Sequence, residues 1–247
     1  MTRPGARPIT RASAIVAAIG LSVASGAISA RAGQQVYTYS IIHPTYGEIG
    51  TLTDTIEHDS ETTRIDARLR IAVTFLGIVA FREKSDTAEI MRGDRLISLQ
   101  SVTDKDGQHL EIHGEAQGDQ FVVDTPAGSF AGPATIAPSD PWVLRRTGEK
   151  TVVFTDTGRI VTVQISGGDY DTVAVNGASV SARHFIVTSV KRQEVWLDDR
   201  EVPIMFRTVE DGTPIDFVLR NDTAAGTTDT AAASKRLALS RPGSAGE

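Results

Sequence analysis

The chain contains no cysteine. That excludes a disulfide framework, a thiol nucleophile and a lipid-modified cysteine at a mature N-terminus. An exported form must then rely on its core for stability. Aromatic residues make up only 6% of the chain, so the two tryptophans, Trp142 and Trp196, stand out as candidate site residues. Beyond the N-terminal segment, no apolar run approaches spanning length. No Gly-x-Ser-x-Gly elbow is present and no Ser–His pairing follows from spacing, so serine hydrolysis has no support. No glycine-rich loop follows a strand pattern and opens a helix, so nucleotide binding has none either.

What is present begins with a secretory pattern. Arg3, Arg7 and Arg11 precede a small-residue apolar run from about Ala12 to Ile28, and Ala30-Arg31-Ala32 supplies an A-x-A site. Residues 1–32 are therefore expected to be a signal peptide cleaved after Ala32, giving a periplasmic or secreted protein with no permanent span. Its removal takes away Arg3, Arg7, Arg11 and Arg31 and no acid, moving the net charge from −6 to −10. That acidity argues against nucleic acid or an anionic membrane surface as partner.

The clearest structural signal lies between Thr63 and Phe75. Ile65, Ala67, Leu69, Ile71, Val73 and Phe75 alternate with mostly polar residues. A strand turns successive side chains to opposite faces, so this is a half-buried strand of an antiparallel sheet. The pattern runs on to Arg82 with a break at Gly77, where a bulge or bend is expected. Strand-like runs also cover 36–42, 48–58, 89–92, 96–103, 109–116, 121–125, 170–175, 180–190, 202–209 and 215–219. Asp106-Gly107, Asn176-Gly177 and Asp211-Gly212 each fall between two of them, the signature of tight hairpins. Pro126–Pro138 is expected to be a loop that crosses a sheet or lids a cavity. Ser139–Arg146 is the one plausible helix, capped by Ser139. Residues 33–221 form a single β domain in this reading, and 222–247 a disordered polar tail. The fold is expected to be all-β: one strongly curved antiparallel sheet, or open barrel, of about ten strands with one short helix.

Chemistry is sparser. His109, Glu111 and His113 share one parity of a strand, the weak candidate for a metal site. The two histidines would lie about 13 Å apart, too far to bind one ion directly, and a solvated polar face explains the pattern. His184 shares parity with Val180, Ala182, Ile186 and Val190, so it points to an apolar side and needs a hydrogen-bond partner there. It is a candidate ligand-contacting residue. Trp142 would plug one end of the core or lid a cavity mouth. Trp196 and Phe130 complete the candidate ligand-binding set. Asp104-Lys105-Asp106-Gly107 lacks the later ligands of a calcium loop. No metal, cofactor or catalytic residue is assigned.

Several blocks together carry a resemblance: HPTYGEIGTLTDTI (43–56), LRIAVTFLGIVAFRE (69–83), SDPWVL (139–144), GGDYDTVAVNGASVSARHF (167–185) and EVWLDDREVPIMFRTVEDGTPIDFVL (194–219). They resemble an uncharacterised family of exported bacterial proteins, a domain of unknown function, over nearly all of 36–221. The last block is more distantly similar to the closing strands of lipoprotein-carrier-like half-barrels. That similarity implies a curved sheet around an apolar hollow that binds acyl chains or lipoproteins, at the level of fold analogy.

Three functions follow as expectations. The first is a non-enzymatic periplasmic binding or carrier protein for an apolar small molecule, such as a lipid or lipoprotein acyl chain. The second is a structural or adaptor protein of the cell envelope with a filled core, whose partner is an envelope protein. The third is a hydrolase using His184 with neighbouring acids.

Overall fold

A computed structural model describes residues 33–189 and 192–225. The expected signal peptide, Val190 and the tail beyond Ala225 lie outside the described residues. Fifteen strands follow one another. They are β1 (Gly33–His43), β2 (Gly47–His58), β3 (Thr63–Phe75), β4 (Ile78–Arg92) and β5 (Arg95–Lys105), then β6 (Gln108–Gln117), β7 (Gln120–Thr125), β8 (Gly128–Pro133), β9 (Ala137–Pro138) and β10 (Gly148–Val153). The last five are β11 (Ile160–Val175), β12 (Ala178–Thr188), β13 (Arg192–Leu197), β14 (Pro203–Glu210) and β15 (Thr213–Ala225).

All fifteen join in one sheet in the order β8-β7-β6-β5-β4-β3-β2-β1-β15-β14-β13-β12-β11-β10-β9. Every neighbouring pair is antiparallel except the short β9 beside β10. The order is a meander that starts in its own middle, because β1 pairs with both β2 and β15. The sheet does not close by hydrogen bonds, yet its ends meet through side chains. Gly158, after β10, sits so close to β7 that a Cβ there would lie 2.5 Å from Thr125 Cγ2. Ile112, Phe121 and Val123 from one end share a core with Val153 and Ile160 from the other.

The expected all-β curved sheet is present, with fifteen strands rather than ten and no helix among the described residues. The run from Thr63 to Arg82 is two strands, not one bent strand. Leu76 and Gly77, at φ of 50° and 79°, form the turn between β3 and β4. Asp106-Gly107, Asn176-Gly177 and Asp211-Gly212 all adopt positive φ at both residues, as a two-residue hairpin turn of this hand requires. The expected loop at 126–138 contains β8 and β9, and β10 and the first half of β11 were not anticipated. β15 continues to Ala225, past the expected domain end.

Ser139–Arg146 is an irregular crossing, not a helix. The Asp140 carboxylate accepts the Trp142 amide at 2.8 Å, a local turn that competes with helical bonding. The segment is also too short to propagate a helix alone. It enters the barrel instead. Trp142 and Leu144 are buried.

The long β11–β12 hairpin bends at Gly167-Gly168, where φ is 93° and 102°. A Cβ at Gly167 would lie 2.4 Å from the His184 carbonyl oxygen, so only glycine fits this bulge. Beyond the bend, Val173 and Ala182 join one apolar cluster with Trp196 and Met205 of β13 and β14. Asn176 at the tip donates its side-chain amide to the Leu219 carbonyl at 2.8 Å. The hairpin's far half thus covers the outer face of the closing strands.

Candidate functional site

Register decides what faces the lumen. Val195, Phe206, Phe217, Ile41, Gly50 and Ile71 are successive cross-strand partners from β13 to β3, so they share one face. The apolar parity of β3 lies on it. Leu69 pairs with Leu52, Ala67 with Asp54 and Ile65 with Ile56. This face encloses a cavity of about 720 Å3, within the range of small-molecule sites. Leu52, Leu69, Ile71, Val73, Phe206 and Phe217 supply apolar wall. His43 and Tyr46 stand against each other at its rim, ring centres 4.6 Å apart.

Three carboxyl groups sit where the crossing segment meets the wall. Asp54 (β2) and Glu89 (β4) are almost fully buried, at 3% and 2% exposure. Trp142 lies against Tyr37, ring centres 4.6 Å apart, and gives its indole N–H to Asp54 Oδ2 at 2.8 Å. Burial pushes the Asp54 carboxyl up to about 7; the indole hydrogen bond opposes this and the Asp140 charge adds to it.

Glu89 and Asp140 behave as a pair. Burial raises Glu89 well above the usual carboxylate range, and the charge and hydrogen bond of Asp140 push it further. Burial raises Asp140 too, opposed by the Glu89 hydrogen bond and the amides of Trp142 and Val143. Glu89 Oε2 and Asp140 Oδ2 have no other donor. A proton shared between Glu89 and Asp140 halves the buried charge of the pair. Beside them the hydroxyls of Ser85 and Thr103 pair at 2.8 Å, and those of Thr87 and Ser101 at 3.0 Å. This inner polar patch of β4 and β5 lies next to the apolar wall and gives the lumen two chemically distinct sides.

A second cavity of about 700 Å3 lies beyond the crossing segment. Trp142 and Ile65 line both cavities.

The structure brings only one of the four candidate ligand residues to the lumen. Trp142 lines it. Phe130 lies on the edge strand β8, about half exposed. His184 and Trp196 are cross-strand partners on the opposite face from Val195 and Phe206, so both point away from the lumen. Their rings stack at 4.3 Å and 5°, and His184 Nε2 lies 2.9 Å from Glu194 Oε2. The partner His184 needed is a structural one. His109 has both ring nitrogens engaged, with Asp104 at 2.7 Å and Glu111 at 3.0 Å, while His113 pairs with Glu115 at 3.3 Å. Among the described residues, no group of histidines and acids is arranged to hold a metal.

The buried acids were missed. Asp54 carried a readable signal, since it shares parity with Leu52 and Ile56. A carboxylate on an apolar parity is either buried or at the mouth of something.

Comparison with known proteins places the fold but gives no activity. A β-barrel-like protein of the domain of unknown function DUF1849, from Brucella abortus, matches with a TM-score of 0.59 at 10% identity, covering 78% of this chain and 98% of that one. A putative outer membrane lipoprotein-sorting protein domain from Vibrio parahaemolyticus matches with a TM-score of 0.25 at 10% identity, covering 83% and 91%. No curated protein matches. The model of the domain of unknown function DUF6134 matches residues 40–220, and the chain belongs to that family.

Proposed function

We propose that this protein is a non-enzymatic binding or carrier protein of the bacterial envelope, exported to the periplasm, that holds an apolar ligand such as a lipid acyl chain in its lumen. One observation carries the reading. The inward side chains of β3, from Ala67 to Val73, line the cavity and remain partly exposed, with Leu69, Ile71 and Val73 packed on one side against the core. Apolar surface left wet inside a barrel is costly at about 25 cal/mol per Å2, and a ligand that covers it recovers that free energy. No helix among the described residues is long and apolar enough to cross a membrane.

The test is titration with a neutral apolar fluorophore, N-phenylnaphthylamine. Saturable binding is expected. Ala67→Trp, which sets an indole into the lumen, should weaken it by about tenfold, a loss of about 1.4 kcal/mol. His184→Ala removes a stacked ring on the other face. It should cost about 1 kcal/mol of stability and leave the affinity unchanged. Unaltered binding by a folded Ala67→Trp variant would place the probe elsewhere.

A second reading, an envelope adaptor, is favoured by the edge strand β8. Its residues are exposed except for the half-buried Gly132, and its free edge suits an added strand from a partner.

A further inference from the structure

The second cavity differs in charge from the rest of the protein. The chain carries a net charge of −6, yet Arg92, Arg95, Arg145, Arg146, Lys150 and Arg200 all line this one space. They come from the β4–β5 hairpin, the end of the crossing segment, β10 and the β13–β14 turn. Two acids, Asp94 and Glu201, join them. Both are already engaged. Asp94 takes Arg146 at 3.2 Å, and Glu201 takes Arg145 and Arg183, each at 3.0 Å.

Arg200 is paired with Asp198 at 3.0 Å, which leaves Arg92, Arg95 and Lys150 poorly compensated. Among the described residues, no carboxylate forms an ion pair with Arg92, Arg95 or Lys150. Lys150 Nζ donates to the Val143 carbonyl at 3.3 Å. Burial lowers its affinity for a proton and the charges of Arg146 and Arg145 lower it again, against the pull of Asp94. Arg95 gives one terminal nitrogen to the Gly118 carbonyl at 2.6 Å, but its Nε is buried with no acceptor. A guanidinium stays charged in proteins, so the group cannot relieve this by losing a proton. An acceptor bearing negative charge in this cavity would offset the crowding of cations.

The inner wall of the same cavity is apolar: Tyr37, Ile56, Ile65 and Trp142. Cations at the rim and hydrocarbon at the floor fit a molecule with both characters. We infer that the second cavity binds the carboxylate or phosphate head group of an anionic amphiphile, with Arg95 and Lys150 as its principal contacts and the first part of the apolar chain against Trp142 and Ile65. This rests on the reading of the barrel as an apolar-ligand carrier and names the ligand class.

The test compares three probes on the mature chain by intrinsic tryptophan fluorescence: dodecanoate, neutral dodecanol of equal chain length, and inorganic phosphate. Dodecanoate should bind about tenfold more tightly than dodecanol, the scale of one good charged hydrogen bond. That advantage should shrink as salt is raised and vanish in an Arg95→Gln/Lys150→Gln double variant. The salt series on the unaltered chain tests the same point should the double variant fail to fold. Equal binding of dodecanoate and dodecanol, with no salt dependence, would overturn the head-group assignment and leave the carrier reading standing. Phosphate binding that is as tight as dodecanoate binding would overturn it in favour of a free-anion site. Binding of neither chain would contradict both.

Discussion

Raising the pH from about 4 to 7 should cost the folded protein about 4 kcal/mol through Asp54 alone. The group titrates near 3.8 when unfolded and at about 7 when folded. Between those values the folded chain keeps a proton that the unfolded chain has released, so the balance tips toward unfolding as protons become scarce. The contribution is fully present below pH 4, declines steadily to pH 7 and is lost above it. Glu89 and Asp140 are displaced upward as well, so they act in the same direction. Urea denaturation at pH 4.5, 6 and 7.5 would show a falling midpoint. Asp54→Asn keeps an acceptor for the Trp142 indole and carries no charge, so it should flatten this part of the slope and be the more stable form at pH 7.5. A slope unchanged by Asp54→Asn would mean that the carboxyl is hydrated, not buried.

Trp142→Ala should destabilise the protein by roughly 3–5 kcal/mol. The indole is the largest side chain of the crossing segment, lies on Tyr37 and stands between the two cavities. Its loss also strips Asp54 of its donor. Trp142→Phe separates the two roles. The ring survives, the N–H does not, and the expected cost is about 1–3 kcal/mol for the unsatisfied carboxyl. That cost should grow with pH, because an ionised Asp54 needs the donor more than a protonated one.

Much of the fold was legible where local pattern and tertiary role agree. The alternation from Thr63 to Val73 named the lumen face of β3 residue by residue. The Asn-Gly and Asp-Gly pairs named three hairpins. Gly77 was recognised as a break, but a bend and a two-residue turn leave the same mark on a sequence. The Ser139-Asp140-Pro141 run is a good helix start and an equally good side-chain turn. Burial of Trp142 and Leu144 decides for the turn, and that burial is non-local.

The site was legible only at Trp142 and, in principle, at Asp54. His184 and Trp196 show why. Alternation placed His184 correctly on the side of Val180 and Ala182. But β12 is apolar on both sides, Val180 and Ala182 on one, Phe185 and Val187 on the other. Which side faces the lumen depends on the bulge at Gly167-Gly168 and the hairpin folded over it. The Glu89–Asp140 pair unites β4 with the crossing segment, and the cationic rim draws on four separate stretches of chain. No window of sequence contains either.

The most direct test of the hollow-barrel account is native mass spectrometry of the chain isolated without detergent from the cells that make it. The account predicts a second mass of lipid size bound to the chain, released by organic solvent and less abundant in the Ala67→Trp variant. A bare-chain mass in every preparation, unshifted by added dodecanoate, would contradict it.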